Sequence, residues 1–230
     1  MTGVQTCALP IFDTDFNDPA TADSVTYSIK PGVGDATLVR IDPVTGEVTL
    51  KAPADYETKT SYTFTVIATD AAGNAREKAV TVNVTNVNEE PRITSNGGGD
   101  TAAVTIPENT TAVTTVTATD PDAGTRFTYS VSGGADGGLF TIDPATGVLR
   151  FTNAPDYENP LDAGGNNVYE VVVTVADQGG LTASQTILVT VTNVNETPTA
   201  IALSGDSIDE NRASGTVIGG FTSTDPDTGN

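Results

Sequence analysis

The same acidic motifs recur along this chain in the same order, about one hundred residues apart. Asp55-Tyr56-Glu57 returns as Asp156-Tyr157-Glu158, and Asn86-Val87-Asn88-Glu89 returns as Asn193-Val194-Asn195-Glu196. Asp120-Pro121-Asp122 returns as Asp225-Pro226-Asp227, and Pro107-Glu108-Asn109 has a counterpart in Asp209-Glu210-Asn211. The four intervals are 101, 107, 105 and 102 residues. A period that long exceeds any solenoid unit and suits a string of small domains. Carboxylates fixed at corresponding places in successive copies point to ligands for a hard cation, because such ions take oxygen donors.

Between the motifs the chain reads as strands. Ser61 to Ala68 alternates with period 2 in β-branched and aromatic residues, as does Val168 to Ala176. Ala79 to Val84 and Ile187 to Val191 lead into the two Asn-Val-Asn-Glu linkers. Ile41-Asp42-Pro43-Val44-Thr45-Gly46 and Ile142-Asp143-Pro144-Ala145-Thr146-Gly147 are matching tight turns. In each, Asp opens the turn, Pro presets φ, and Gly stands where a positive φ is needed. About seven short strands per copy, antiparallel and rich in turns, predict an all-β fold of tandem seven-stranded Greek-key β-sandwiches, immunoglobulin-like in architecture. A copy of that size closes a core without disulfides.

The expected divisions are 1–11, 12–88, 89–195 and 196–230. The copy 12–88 is read as truncated at its N-terminus, 89–195 as complete, and 196–230 as the start of a third. Residues Met1 to Ile11 resemble the conceptual translation of a sequencing-library adapter and are expected to be an assembly artefact. They lack the basic start and the apolar length of a secretion signal. The second copy carries an insertion, Asn159 to Asn167, whose Gly and Asn content predicts a longer surface loop. Tyr56 and Tyr157 are expected to pack on the base of their sandwiches.

Charge and composition remove whole classes of function. The net charge is −20, from 30 acidic and 10 basic residues, which excludes a nucleic-acid backbone as partner. It also argues against an anionic membrane surface. The chain has no His, so Ser-His-Asp catalysis and His-ligated zinc are excluded. Cys7 is the single cysteine, so no internal disulfide forms. No apolar run is long enough to span a membrane. No EF-hand, phosphate-binding loop or dinucleotide fingerprint occurs, and the Gly-rich runs ending at Asp100 and Asp136 have the wrong spacing for a calcium β-helix. The expectation is a chain without enzymatic activity.

Taken in order, these motifs resemble tandem cadherin repeats. They are Pro-Glu-Asn, Asp-x-Asp, Phe-x-Ile-Asp-x-x-Thr-Gly, Asp-Tyr-Glu and Asn-x-Asn-Glu before Pro, and they cover everything from Phe12 onward. The repeats of bacterial surface adhesins are the closer match expected. The resemblance implies Ca2+ bound at each junction between successive sandwiches. At the junction of the second and third copies it implies ligation by Glu108, Asp156, Glu158, Asn193, Asn195, Glu196, Asp225 and Asp227. At the junction of the first and second it implies Asp55, Glu57, Asn86, Asn88, Glu89, Asp120, Asp122 and Asp177. Asp13, Asp15 and Asp70 would face a preceding domain. The linkers depart from the animal pattern Asp-x-Asn-Asp-Asn: Asn86 and Asn193 replace the first Asp, while Glu89 and Glu196 replace the second. Each junction thereby loses one anionic ligand, and two or three ions per junction both remain open.

The physical chemistry agrees with that implication. Two carboxylates held ~4 Å apart repel by roughly 4 kcal/mol at an effective dielectric near 20. Calcium, with about six to eight oxygen ligands, relieves that repulsion, whereas magnesium demands strict octahedral geometry. The implied role is an extracellular or cell-surface stalk, rigidified by Ca2+ and serving calcium-dependent adhesion, with another copy of the adhesin as a homophilic partner. The absence of Trp rules out a Trp-exchange form of homophilic binding within this chain. The alternative is a carbohydrate-binding or spacer module of a larger secreted polysaccharide-active protein, with a surface glycan as partner. Aromatics make up only 6% of the residues, which argues against it.

Overall fold

The structure is a computed structural model and describes residues 24–227. The expected artefact at residues 1–11, Asp13 and Asp15 lie outside the described residues. Two compact units divide between Val87 and Asn88. Among the described residues there is no α-helix, only strands and one short 3-10 turn at Gly137–Leu139.

The first unit holds β1 (Thr26–Ile29), β2 (Val39–Ile41), β3 (Val48–Leu50), β4 (Ser61–Thr69) and β5 (Ala75–Asn83). β4 pairs antiparallel with β1 on one side and β5 on the other, while β2 and β3 form a separate hairpin. Alternation along β4 buries Tyr62, Phe64, Val66 and Ala68. Val39, Phe64 and Val66 form this unit's core, with Tyr27, Ile41 and Val80 packed against it.

The second unit holds one full sandwich. Its strands are β6 (Arg92–Ile93), β7 (Thr101–Pro107), β8 (Ala112–Thr115), β9 (Ala118–Thr119), β10 (Thr128–Gly133), β11 (Phe140–Ile142), β12 (Val148–Phe151), β13 (Val168–Ala176) and β14 (Thr182–Thr192). One sheet runs β10-β13-β14-β7 and the other β11-β12-β8, with β6 paired to β9. The predicted seven strands are present, two of them broken: β6 and β7 share the first, β8 and β9 the second. β7 lies parallel to β14, from Thr101 opposite Thr186 to Pro107 opposite Thr192. That pairing brings Glu108 to the same end of the sheet as the linker after β14, its amide donating to the Thr192 carbonyl.

The core follows from the alternation. Val171, Val173 and Val175 on β13 and Ile187, Val189 and Val191 on β14 point inward and are fully buried. Each such side chain contributes about 1.5–3 kcal/mol of transfer free energy. Phe140, Phe151 and Tyr169 close one end, with ring centroids 4.2 Å (Phe140–Phe151) and 5.0 Å (Phe151–Tyr169) apart.

Both predicted turns form. Asp42 Oδ1 accepts the amides of Val44 and Thr45, and Asp143 Oδ1 accepts those of Ala145 and Thr146. Gly147 has φ +71, and a Cβ there would collide with the carbonyl oxygen of Val116. After the linker, β15 (Ala200–Leu203) pairs with β16 (Phe221–Thr224) in a hairpin that places Ile201 as β6 places Ile93. Ile93 is 4% exposed in the sandwich core, whereas Ile201 is 73% exposed.

Tyr56 and Tyr157, expected to pack on the base of their sandwiches, are each 37% exposed. The insertion Asn159 to Asn167 is the surface loop expected, with most of its residues exposed, and it is anchored by two buried side chains, Asp162 and Asn167. Asp162 folds the loop on itself by accepting the amides of Asn166 and Asn167.

Candidate metal centre

Three glutamates from three separate segments converge at one end of the second unit. Carboxylate oxygens of Glu108, Glu158 and Glu196 all lie within 4.8 Å of one another. Glu108 follows directly on β7 and is 1% exposed. Its Oε1 accepts the Val194 amide at 2.7 Å and its Oε2 accepts the Tyr157 amide at 2.7 Å. One buried carboxylate thus ties the linker after β14 to the Asp156-Tyr157-Glu158 turn.

Around it the linker supplies further polar contacts. Asn193 Nδ2 donates to Glu158 Oε1 at 2.7 Å, and Asn109 Nδ2 donates to Glu196 Oε1 at 2.7 Å. Asn195 Nδ2 donates to the carbonyl of Glu196 at 3.1 Å. Asp227 Oδ2 accepts the Glu196 amide at 2.7 Å, and Asp225 Oδ1 accepts the Asp227 amide at 3.1 Å. Asp227 is 8% exposed. The remaining oxygens stand out: Glu158 Oε2 and Glu196 Oε2 are shielded from solvent and have no hydrogen-bond partner among the described residues. Burial raises the Glu158 carboxyl above its ordinary range, and the charges of Glu108, Glu196 and Asp227 push it the same way. A hard cation is the counter-charge that such a donor set fits.

Asp156, expected in this set, is not one of the three converging carboxylates. It caps its own turn, accepting the backbone and side-chain nitrogens of Asn159 at 3.0 Å. Asn109, which the sequence reading passed over, is brought in by its positive φ of +60 and its bond to Glu196. Its position inside the Pro-Glu-Asn motif was the available signal.

The second unit repeats part of this arrangement at its own beginning. Asp120 Oδ1 accepts the Asp122 amide at 2.9 Å, and Asp122 Oδ2 accepts the Glu89 amide at 3.0 Å. These contacts match those of Asp225, Asp227 and Glu196. Asp120 Oδ2 is buried without a partner among the described residues. Asn88 Nδ2 donates to Asp177 Oδ2 at 2.6 Å, and Leu181 donates its amide to Asp177 Oδ1 at 2.9 Å. Burial pushes the Asp177 carboxyl up, but the bonds from Asn88 and the amides of Leu181, Gly180 and Gly179 outweigh it and leave it low.

In the first unit, Asp55 Oδ1 accepts the Thr58 amide and its Oδ2 the Thr58 hydroxyl. These contacts, the amide first, lower its carboxyl. Asp70 is lowered in the same way by the side chain and then the backbone of Asn74. Glu57 is exposed on the turn after Asp55, and Asn86 lies in the linker beyond β5.

The second unit is thus a Greek-key β-sandwich with acidic side chains gathered at its end. The Cadherin domain family model matches residues 4–85 and 102–192. The chain belongs to the cadherin domain family, and it is a cell-surface type of repeat region. Human Cadherin-22 is 34% identical over 231 residues, covering 94% of this chain and 26% of its own length. Human Protocadherin Fat 1 is 33% identical over 183 residues, covering 76% of this chain and 4% of its own length. The chain therefore spans about a quarter or less of the curated relatives it matches. Among solved structures, mouse Cadherin-23 EC22-24 matches with TM-score 0.51 at 26% identity, covering 74% of this chain and 53% of that one. Human CDH23 EC21-23 matches with TM-score 0.62 over 90% of this chain and 70% of that one; at 23% identity it supports the fold alone. The relatives with a named organism are animal proteins.

Proposed function

We propose that Glu108, Glu158 and Glu196 hold Ca2+ and that the ion locks the linker onto the end of the second repeat. The single observation that carries this reading is the pair of solvent-shielded, unpartnered oxygens, Glu158 Oε2 and Glu196 Oε2, beside the buried Glu108 carboxylate. A buried carboxylate oxygen without a partner is costly, and several together repel. A bound cation supplies the missing counter-charge and completes their coordination. The protein's own residues do the rest. Glu108 holds the linker and the Glu158 turn in register, and Asp227 fixes the Glu196 backbone.

Asp120, Asp122 and Asp177, with Asn88 and Glu89, are the corresponding proposed donors at the start of the second repeat, and Asp55, Glu57 and Asn86 are proposed donors of the first. Asp156, Asn193, Asn195 and Asp225 complete the proposed set at its end, and Asp70 serves the first repeat. The parent's role is calcium-dependent cell adhesion without catalysis, with a second copy as homophilic partner. Family membership and the names of the relatives support adhesion. The linkers' departure from the animal pattern is what favours a bacterial surface adhesin as parent.

Calorimetric titration of calcium into chelator-stripped protein tests the site. Saturable binding that Glu158→Gln weakens supports it, and an absence of saturable binding sinks it. Calcium-dependent aggregation of beads coated with the chain tests homophily; beads that stay dispersed with calcium present rule it out for this region.

A further inference from the structure

Asn167 is buried, 9% exposed, at the end of the insertion that distinguishes the second repeat from the first. It sits at φ +61, in the left-handed region. Its Nδ2 donates to the Tyr157 carbonyl at 2.8 Å. The Tyr157 amide in turn donates to Glu108 Oε2, and Glu158 is the next residue. One side chain therefore grips the peptide that lies between two of the converging carboxylates. The orientation of its carboxamide is fixed chemically, since only the nitrogen can face a carbonyl. Its Oδ1 is left buried without a partner among the described residues. Burying that acceptor costs free energy, and the bond made by the nitrogen offsets part of it.

The loop that delivers Asn167 is itself held. Asp162 Oδ1 accepts the Asn167 amide at 2.9 Å, and Asp136 Oδ1 accepts the Ala163 amide at 2.7 Å. In the first repeat the residue in this register is Thr60, whose carbonyl accepts from Val84 as the Asn167 carbonyl accepts from Val191. That repeat has no insertion, and Lys59 occupies the corresponding carboxylate, Asp35, at 2.9 Å.

We infer that Asn167 is a positioning residue that holds the Tyr157–Glu158 peptide in place for cation binding at the end of the second repeat. The inference rests on the cation reading proposed above. It makes the insertion part of the site's support, which the first repeat lacks. Groups that orient metal ligands typically carry about a 10–100-fold effect on affinity.

The test compares wild type, Asn167→Gly and Glu158→Gln, each intact and chelator-stripped. Glycine keeps the positive φ and removes both the carboxamide and its unpaired oxygen. Asn167→Gly is expected to melt near wild type without metal, to exchange its Tyr157 amide hydrogen faster, and to bind calcium about tenfold more weakly or worse. Asn167→Asp, which tolerates the same backbone conformation but cannot donate, gives the same faster exchange at Tyr157. A purely structural role would lower the melting temperature and leave the Kd of the folded protein unchanged. If wild type binds calcium and Glu158→Gln weakens it while Asn167→Gly does not, the inference about Asn167 is overturned and the cation site stands. If Tyr157 exchange is unchanged in Asn167→Gly, the inference falls on that result alone. If wild type binds no calcium, the cation reading fails and this inference with it.

Discussion

Glu196→Gln separates the cation account from an ordinary packing account because its two expected effects have opposite signs. Glu196 Oε1 accepts from Asn109 Nδ2, and a glutamine oxygen keeps that bond. The substitution changes only the other atom, Oε2, which is buried and unpartnered. In chelator the variant loses a charge that presses on Glu158, and its new NH2 group has the Glu108 and Glu158 carboxylates within reach. Metal-free stability should therefore hold or rise. With calcium present the variant lacks one carboxylate ligand. At a calcium concentration of about 100 times the wild-type Kd, binding contributes about 2.7 kcal/mol. A variant that binds tenfold more weakly keeps about 1.4 kcal/mol at the same concentration. The calcium-induced rise in melting temperature should then shrink by roughly 3–5 °C, at about 2–4 °C per kcal/mol for a protein of this size. Thermal scans of both proteins, with calcium and with chelator, give all four values. A variant destabilised in chelator with an unchanged calcium increment would refute the reasoning.

Other outcomes follow from the same structure. Leu149, fully buried in the second sandwich, should cost about 2–5 kcal/mol when replaced by alanine, read as a lower denaturation midpoint in urea. Gly147→Ala should lower the second repeat's melting temperature, because φ +71 is strained for alanine and its Cβ meets the Val116 carbonyl; wild-type stability would mean the turn relaxes freely. Asp143 is held below its ordinary 3.8 by the backbone amide of Thr146 first, then its hydroxyl and the Ala145 amide. The stability it adds is therefore present above the unfolded pKa and is lost as pH falls through the lower folded value. The gap between wild type and Asp143→Ala should be open at neutral pH and should close in acid. A gap independent of pH would argue against those bonds. Asp143→Ala should also leave calcium affinity unchanged, since Asp143 is engaged in its own turn.

Strands and turns were legible because their determinants are local. Alternation along 61–68 and 168–176 is a direct image of one buried face, and Asp42 and Asp143 open turns whose glycines take the positive φ the pattern demanded. Glu108, Glu158 and Glu196 were legible because the motifs repeat. Other features depend on backbone contacts that leave little trace in residue type. Asp156 accepts both nitrogens of Asn159, contacts that its place in the Asp-Tyr-Glu motif does not disclose. Asp136 and Asp162 sit in Gly-rich stretches that read as loops, yet both are buried because backbone amides from distant or looping segments converge on them. The same device recurs in the first unit, where Asp35 both donates to and accepts from the Thr63 backbone. Tyr157 was singled out for its ring, but its amide and carbonyl make the connections that matter.

The most direct test of the central claim is the position of a bound ion. Crystals grown with terbium in place of calcium report it by anomalous scattering. The account predicts a peak ligated by carboxylate oxygens of Glu108, Glu158 and Glu196, and its loss on calcium competition or in Glu158→Gln. Terbium found only on exposed acids such as Asp42 and Asp143, with none among the three glutamates, would contradict it.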